Sequence, residues 1–219
     1  KPLFFERVVF HEFGHALHGM FSKCTYGSTS MDGGSRDFVE LPSQFMENYA
    51  LEKEWLDTWA VHYQTGEKIP QEYIDKIKKS SNFQAGYASD RQLSFGMVDM
   101  AWHTITEPVT EPLVDFEQRA IGKTEIMPVV KGSAFSPAFG HIFAGGYAAG
   151  YYGYKWAEVL DADAFSLFKQ NGIFDKATAE SFRCNVLEKG ASENPMILYK
   201  RFRGQEPTVD ALLERSGLK

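Results

Sequence analysis

Two histidines and a glutamate near the start of the chain form the pattern H-E-x-x-H within a predicted helical segment. His11 and His15 are four residues apart, and Glu12 follows the first of them. Residues four apart on an α-helix lie about 40° from each other and about 6 Å along the axis, so both imidazoles can converge on one ion. Glu12 lies about 100° around the helix and can hold the reacting water without ligating the metal. The pattern predicts a hydrolytic zinc site.

A hydrolytic zinc ion needs a third protein ligand, and His18 is the nearest candidate on the same helix face. Seven residues of helix rise about 10.5 Å, which is too far for His11 and His18 to share one ion. His18 is therefore predicted to pack or to support the site, and a carboxylate must complete it. The downstream candidates are Asp32, Asp37, Glu40 and Glu47.

Glu40 and Glu47 are the most informative pair among these carboxylates. They are seven residues apart, so on one helix they share a face within about 20°. One can bind the metal while the other accepts a hydrogen bond from the free ring nitrogen of a ligand histidine. Asp37 and Glu40 also have the spacing of a helix capping box, so the spacing alone leaves the role of Glu40 open.

The composition indicates a folded globular chain rather than a disordered or repetitive one. It has 219 residues, of which 43% are hydrophobic and 24% charged. The net charge of −6 and the lack of a long basic block argue against nucleic acid or an anionic membrane as the main partner. No apolar stretch reaches the roughly 18 residues of a membrane span. Two cysteines without metal-site spacing favour a reducing compartment, so we expect a cytoplasmic location.

Apolar periodicity predicts helices along most of the chain. A Gly-, Ser- and Thr-rich stretch at residues 25–36 indicates a loop or a short hairpin instead. The longest predicted helices cover residues 3–22, 37–63, 85–106 and 151–169. The expected fold class is mainly α with a small irregular or hairpin segment.

A Gly- and Tyr-rich stretch at residues 144–153 is the second feature that could do chemistry. Tyr147, Tyr151 and Tyr154 are spaced at i, i+4 and i+7, which is a single face if the segment is helical. The glycines would let the backbone close on a ligand. From the spacing alone, an aromatic packing stripe is the simpler interpretation.

Four stretches together cover nearly the whole chain in a recognisable order. They read HEFGHALHGMF, RDFVELPSQFMENY, FGHIFAGGYAAGYYGYKWAEVL and NPMILYKRFRGQEP. In this combination the chain resembles the thimet oligopeptidase family of zinc metallopeptidases, which includes bacterial oligopeptidase A and peptidyl-dipeptidase (dipeptidyl carboxypeptidase). The resemblance implies the zincin-like helical catalytic half of such an enzyme. It also implies one Zn²⁺ per chain, bound by His11, His15 and Glu40, with Glu47 in support.

The resemblance further implies that the Gly- and Tyr-rich stretch faces the substrate. His141 with Tyr151 or Tyr154 would donate hydrogen bonds to the tetrahedral oxyanion, and Tyr147 would contact the peptide. Because the family enzymes are several times longer, residues 1–219 are expected to be a catalytic domain fragment. The missing partner would be the N-terminal half of the same polypeptide, which roofs the active-site channel.

The expected function is hydrolysis of short peptides by a zinc-activated water, with Glu12 as general base. Release of C-terminal dipeptides is preferred over internal cleavage of oligopeptides, which remains the alternative. RDFVE and HALHG resemble the dipeptidase members, whereas ELPSQFMEN and KRFRG resemble the oligopeptidase members. A third possibility, from another functional class, is a peptide-binding fragment that keeps the metal site but is inactive without its N-terminal half.

Overall fold

The chain folds into α-helices joined by turns and loops. The computed structural model describes residues 2–219, and for residues 2–6 and 32 it describes the backbone alone. In chain order, the α-helices of the described residues are α1 (Pro2–Phe21), α2 (Glu40–Glu47), α3 (Lys53–Leu56), α4 (Gln71–Ser81), α5 (Ala85–His103), α6 (Leu113–Ile121), α7 (Gly140–Phe143), α8 (Gly153–Asn171), α9 (Lys176–Asn185), α10 (Pro195–Arg203) and α11 (Asp210–Arg215).

The predicted mainly α class is confirmed. Within residues 2–219 the only extended pairing is one antiparallel bridge between Val61 and Lys68. None of the described helices is both long and apolar enough to span a membrane.

The Gly- and Ser-rich segment at residues 25–36 is a loop and not a hairpin. It contains two 3₁₀ turns, Gly27–Thr29 and Met31–Gly33. Local hydrogen bonds hold them, because the Thr29 N–H donates to the Tyr26 carbonyl at 3.0 Å and the Thr29 hydroxyl donates to it at 2.9 Å. Short polar side chains that bond to nearby backbone favour such turns over strand pairing.

The single long helix expected for residues 37–63 is wrong, because α2 gives way to a 3₁₀ turn and then to α3. The side-chain amide nitrogen of Asn48 donates hydrogen bonds to the backbone carbonyls of Gln44 and Phe45, at 3.1 and 3.0 Å. Those carbonyls are the acceptors that the next turn of an α-helix would use. Glu52 then adopts an extended conformation, with φ −87° and ψ 123°, and ends the run.

The described chain divides into two compact units. The first comprises the chain up to Phe83 together with Ala157–Lys219, and the second comprises Gln84–Trp156. The first unit therefore consists of two stretches that are separate in sequence.

Aromatic rings form the centre of the first unit. The Phe45 ring of α2 lies 4.4 Å from the Phe182 ring of α9, measured between centroids. Phe165 and Phe168 of α8 lie 5.6 and 4.9 Å from the same ring. Burial of several phenylalanines against one another, at about 1.5 to 3 kcal/mol each, holds α2 against the C-terminal helices.

Polar side chains also tie the two stretches of the first unit together. Beyond its bonds to α2, the Asn48 amide nitrogen donates to Asp161 Oδ1 of α8 at 2.8 Å. The Arg215 guanidinium of α11 donates to Asn48 Oδ1 at 2.9 Å and also pairs with the buried Asp161 carboxylate. A buried carboxylate needs such partners, because an unpaired charge in the interior is costly.

The second unit has its own smaller core. Val98 of α5, Ile121 of α6, Phe139 and Ile142 are its buried members. Tyr151 packs against this core, with its ring 4.8 Å from the Phe139 ring. The Gly- and Tyr-rich segment is thus anchored on the helices of its own unit.

Candidate metal centre

Helix α1 presents two imidazoles to one carboxylate of α2. The Nε2 atoms of His11 and His15 each lie 3.3 Å from Glu40 Oε2. One ligand atom from each residue falls within 4.8 Å of the other two. The imidazole planes are 86° apart with centroids 5.0 Å from each other, so the two nitrogens approach a common point from different directions.

The close approach of α1 to α2 depends on Gly14. A β-carbon at this position would lie 2.4 Å from the Pro42 carbonyl oxygen and 2.5 Å from the Ser43 Cα. Such distances are well inside van der Waals contact, and the atoms in the way belong to the backbone. Only glycine allows the two helices to pack at this separation, which brings Glu40 to the histidines.

Glu40 is buried, with 1% of its surface exposed, and its carboxylate is oriented by a neighbour one turn away. The Ser43 hydroxyl lies 2.8 Å from Glu40 Oε2 and 2.9 Å from the Glu40 carbonyl. The residue preceding α2 is Val39, and no side chain caps the helix there. The capping-box interpretation of Asp37 and Glu40 is therefore wrong.

Glu47 lies behind His11. Its Oε1 is 2.8 Å from His11 Nδ1, and its Oε2 accepts from the Arg7 guanidinium, at 3.1 Å from Nε and 2.8 Å from Nη2. Burial lowers the pKa of His11, but the hydrogen bonds and charges of Glu40 and Glu47 outweigh it and raise the pKa to about 9. The two carboxylates thus favour a positive charge at this place.

The donor set fits zinc. Two imidazole nitrogens and one carboxylate oxygen are the ligand types that catalytic zinc sites use, with a further position open for water or substrate. A carboxylate on the second ring nitrogen of a ligand histidine is the outer contact typical of such sites. His11, His15 and Glu40 are the residues that would hold the ion.

The other candidates from this part of the sequence differ in their burial. Glu12 is exposed on α1, on the turn between the two histidines. His18 is buried, with 3% of its surface exposed, and lies one helical turn beyond His15. Asp37 is partly buried. The side chain of Asp32 lies outside the described residues.

Three residues that contribute to this geometry were not predicted from the sequence, although each has a sequence feature that could have identified it. Gly14 stands inside a helix, where glycine is unfavourable unless close packing requires it. Arg7 precedes His11 by four residues and Ser43 follows Glu40 by three, the spacings at which helical side chains meet. The H-E-x-x-H pattern itself specifies only His11, Glu12 and His15, so it does not predict these three residues.

In the second unit, His141 and three tyrosines form one cluster. The His141 ring lies 6.1 Å from Tyr147, 5.9 Å from Tyr151 and 6.3 Å from Tyr154. Tyr147 and Tyr154 stack at 4.9 Å, and Tyr151 lies 5.1 Å from Tyr154. Burial raises the pKa of the Tyr151 phenol, and the neighbouring Tyr147 raises it further. The phenol therefore stays protonated and can donate a hydrogen bond at neutral pH.

The tyrosines meet through a turn and not along a helix face. Residues 147–152 are non-helical, and α8 begins only at Gly153. Ala149 adopts a left-handed conformation with φ 52°, and Gly146 has φ 79°. The i, i+4, i+7 spacing would place the three tyrosines on one face only if the segment were helical, and it is not. The three rings nevertheless lie together.

Comparison with known proteins agrees with the chemistry of the metal group. The model of peptidase family M3 matches residues 6–218. The chain is 46% identical over 229 aligned residues to oligopeptidase A of Escherichia coli, covering 100% of this chain and 33% of that protein.

Two further relatives show that the chain is similar to more than one kind of peptidase. Probable cytosolic oligopeptidase A of Arabidopsis thaliana is 45% identical, over 96% of this chain and 31% of its own length. Dipeptidyl carboxypeptidase of Salmonella typhimurium is 39% identical, over the same shares of the two chains. The chain spans about a third of the length of these relatives. On the family match and these identities, the chain belongs to peptidase family M3.

Proposed function

We propose that this chain provides the catalytic zinc centre of a peptidase that hydrolyses short peptides. The observation that supports it most is the convergence of His11, His15 and Glu40, with Glu12 exposed between the two histidines. A bound zinc ion supplies Lewis acidity, which polarises a scissile carbonyl and lowers the pKa of a water toward about 7.

Glu12 acts as the general base in this proposal. Its carboxylate takes the proton of the attacking water and later delivers it to the leaving amine, as a positioned carboxylate can in acyl transfer. Exposure of the side chain leaves it free to approach a bound peptide. Its place on the same helical turn as His11 sets its distance from the reacting carbonyl.

The neighbours of the ligands fix their orientation and ionisation. Glu47 accepts a hydrogen bond from the Nδ1–H of His11, which orients the ring so that Nε2 faces the proposed metal position. Arg7 holds Glu47 in place, and Ser43 holds Oε2 of Glu40. These contacts reduce the reorganisation needed when the ion binds.

His141 and the tyrosine cluster supply hydrogen bonds to the substrate. Tyr151 or Tyr154, with His141, donates to the oxyanion of the tetrahedral intermediate, and Tyr147 contacts the peptide. Their convergence and the protonated state of Tyr151 support this role.

The activity belongs to a longer protein in this proposal. The relatives are about three times as long as the matched region, so we assign residues 1–219 the role of catalytic domain and expect an N-terminal half as its partner. The cytoplasmic location also stays a proposal. One relative is named cytosolic and another organellar, chloroplastic or mitochondrial.

Two cleavage modes are candidates, and the names of the relatives include both. Identity is 46% with an oligopeptidase A and 39% with a dipeptidyl carboxypeptidase, which favours oligopeptide cleavage over the dipeptide release suggested by RDFVE and HALHG. A series of peptides of increasing length with blocked C-termini, analysed by mass spectrometry, separates the two. Blocking stops dipeptide release and leaves internal cleavage intact.

Metal removal tests the proposed function as a whole. Full-length protein stripped by a chelator should lose peptide cleavage and regain it with one equivalent of zinc per chain. Cleavage that persists in fully stripped protein would contradict the proposal. Protein that binds zinc at His11, His15 and Glu40 but cleaves no peptide would instead point to the peptide-binding alternative.

A further inference from the structure

A buried carboxylate on α5 holds the turn that carries the tyrosines. Asp99 has 0% of its surface exposed. Its Oδ1 accepts a hydrogen bond from the Ala149 N–H at 2.9 Å, and its Oδ2 accepts from the Tyr151 N–H at 2.8 Å. Each oxygen thus binds a different residue of the same turn, which fixes the orientation of the backbone.

His103, one helical turn after Asp99, is a further partner of the carboxylate. Its Nδ1 lies 2.8 Å from Asp99 Oδ1 and 2.8 Å from the Asp99 carbonyl oxygen. A buried anion is stable only when hydrogen bonds replace its lost hydration. Two backbone amides and one imidazole provide that replacement here.

The turn needs such a restraint. Ala149 has φ 52°, a conformation that is unfavourable for a residue with a β-carbon and persists only where surrounding contacts impose it. The amide of Ala149 is one of the two that Asp99 binds. Without the carboxylate, the amides of Ala149 and Tyr151 would lose their acceptors, and this restraint on the backbone of the turn would be gone.

We propose that Asp99 is a positioning residue of the peptidase site, acting through the backbone of Ala149 and Tyr151. This inference rests on the proposed role of His141 and the tyrosines. Asp99 does not touch the substrate itself. It sets the direction in which the Tyr151 and Tyr154 phenols point, and the hydrogen bond to the oxyanion depends on that direction.

Glu117 of α6 offers a matched control within the same unit. It is also a buried carboxylate, with 5% of its surface exposed. It accepts backbone N–H bonds from Phe135 at 2.9 Å and from Ser136 at 2.7 Å. The turn that it holds carries no residue proposed to contact the substrate. Loss of these two hydrogen bonds should therefore affect stability more than catalysis.

The test compares Asp99→Asn with Glu117→Gln in the zinc-loaded full-length protein. Each amide keeps the volume of the acid but turns one acceptor oxygen into a donor that faces an N–H. For Asp99→Asn we expect kcat to fall about 10- to 100-fold with KM changed less than about 3-fold, because displacement of catalytic groups by about 1 Å has effects of this size. For Glu117→Gln we expect a fall in melting temperature similar to that of Asp99→Asn, but a kcat within about 3-fold of the wild-type value. Equal losses of kcat in the two variants, or near-normal kcat in Asp99→Asn, would overturn the proposal.

A double-mutant cycle shows whether Asp99 acts through the tyrosines. If it does, Asp99→Asn should cost much less in a Tyr151→Phe or Tyr154→Phe background than in the wild type, because the hydroxyl that it positions is already gone. Fully additive losses in both backgrounds would contradict an action through these phenols.

Hydrogen exchange provides a readout that does not depend on peptide cleavage. In Asp99→Asn the amides of residues 147–151 should exchange faster, whereas in Glu117→Gln they should keep their wild-type rates. Unchanged exchange in Asp99→Asn would overturn the inference. A protein that cleaves no peptide even when loaded with zinc would refute the proposed function, and the exchange data would still show whether Asp99 holds the turn.

Discussion

The His11 ring is held at both of its nitrogens. Nε2 faces Glu40 at 3.3 Å and Nδ1 faces Glu47 at 2.8 Å. When the ring is neutral, a hydrogen bond from Nδ1–H selects the tautomer in which Nε2 carries the lone pair, so Glu47 favours metal binding at Nε2. Arg7 keeps Glu47 in the required orientation. The hydrogen bonds from Arg7 to Glu47 and between Glu47 and His11 therefore orient one proposed ligand before any ion binds.

Glu47→Gln should weaken zinc binding by about 10- to 100-fold, the usual effect of removing an outer-shell partner of a ligand histidine. The amide is uncharged and can turn its NH₂ toward Nδ1, which would select the wrong tautomer. Competition with a chromogenic chelator measures the affinity. Arg7→Met is the matched variant and should have a smaller effect, since the Arg7 side chain is 54% exposed. Wild-type affinity in Glu47→Gln would contradict the assigned role.

Glu12→Gln in the full-length protein should keep its zinc and lose most of its turnover. The amide preserves the shape of the side chain but cannot accept the proton of the attacking water, and a general base contributes about 10²- to 10⁴-fold. Steady-state kinetics at equal zinc content measures the loss. Glu54→Gln, an exposed glutamate on α3, is the control and should leave kcat unchanged. A zinc-loaded Glu12→Gln protein with near-normal kcat would exclude Glu12 as the base.

At the scale of helices, the separation of α1 and α2 determines whether the three proposed ligands meet. Gly14→Ala should force the helices apart, because the new methyl group would lie 2.4 Å from the backbone oxygen of Pro42. Overpacking of this kind costs about 1 to 3 kcal/mol, and the shift would also move Glu40 away from the histidines. We expect both a lower melting temperature and a loss of zinc, measured by calorimetry and by metal analysis.

Gly19→Ala on the same helix separates this effect from helix propensity. A β-carbon at Gly19 meets nothing within 4 Å. Since alanine favours a helix interior over glycine by about 1 kcal/mol, this variant should bind zinc normally and be as stable as the wild type or more so. A Gly14→Ala protein that behaves like Gly19→Ala would show that the close approach is not required.

The same scale shows what the sequence could predict. The convergence of His11 and His15 follows from local helix geometry, so a pattern of five residues is enough to propose a metal site. The end of α2 depends on the hydrogen bonds of the Asn48 side chain to the last carbonyls of the helix. The orientation of that side chain is fixed by its hydrogen bond to Asp161, more than a hundred positions away. Periodicity does not contain that information, and the continuous helix at residues 37–63 was predicted for this reason.

The tyrosine cluster illustrates a second limit. Its spacing suggested a helix face, whereas the rings meet around a turn with a left-handed Ala149. The restraint on that turn comes from Asp99, 50 residues earlier in the chain. Side chains brought together by a distant carboxylate leave no periodic pattern, although the glycines around them did mark the segment as irregular.

At the scale of the whole protein, the 219-residue chain should be a poor catalyst compared with the longer protein. Correct orientation of substrate can supply about 7 to 11 kcal/mol of a reaction barrier, and the proposed partner half would form much of the channel that provides it. We expect kcat/KM for one peptide to be at least about 100-fold lower for the chain alone. The comparison requires equal zinc content in both proteins. Similar values for the two would show that residues 1–219 suffice.

The discontinuous first unit has a consequence for biosynthesis. The proposed ligands His11, His15 and Glu40 all lie in the first stretch of this unit, so they are translated before its second stretch, Ala157–Lys219. The rings that bury Phe45 belong to α8 and α9, which are translated only after all of Gln84–Trp156. During that interval the nascent α1–α2 pair lacks the rings that cover Phe45. A chain truncated before Ala157 would contain all three proposed ligands but would lack the aromatic core that packs behind α2.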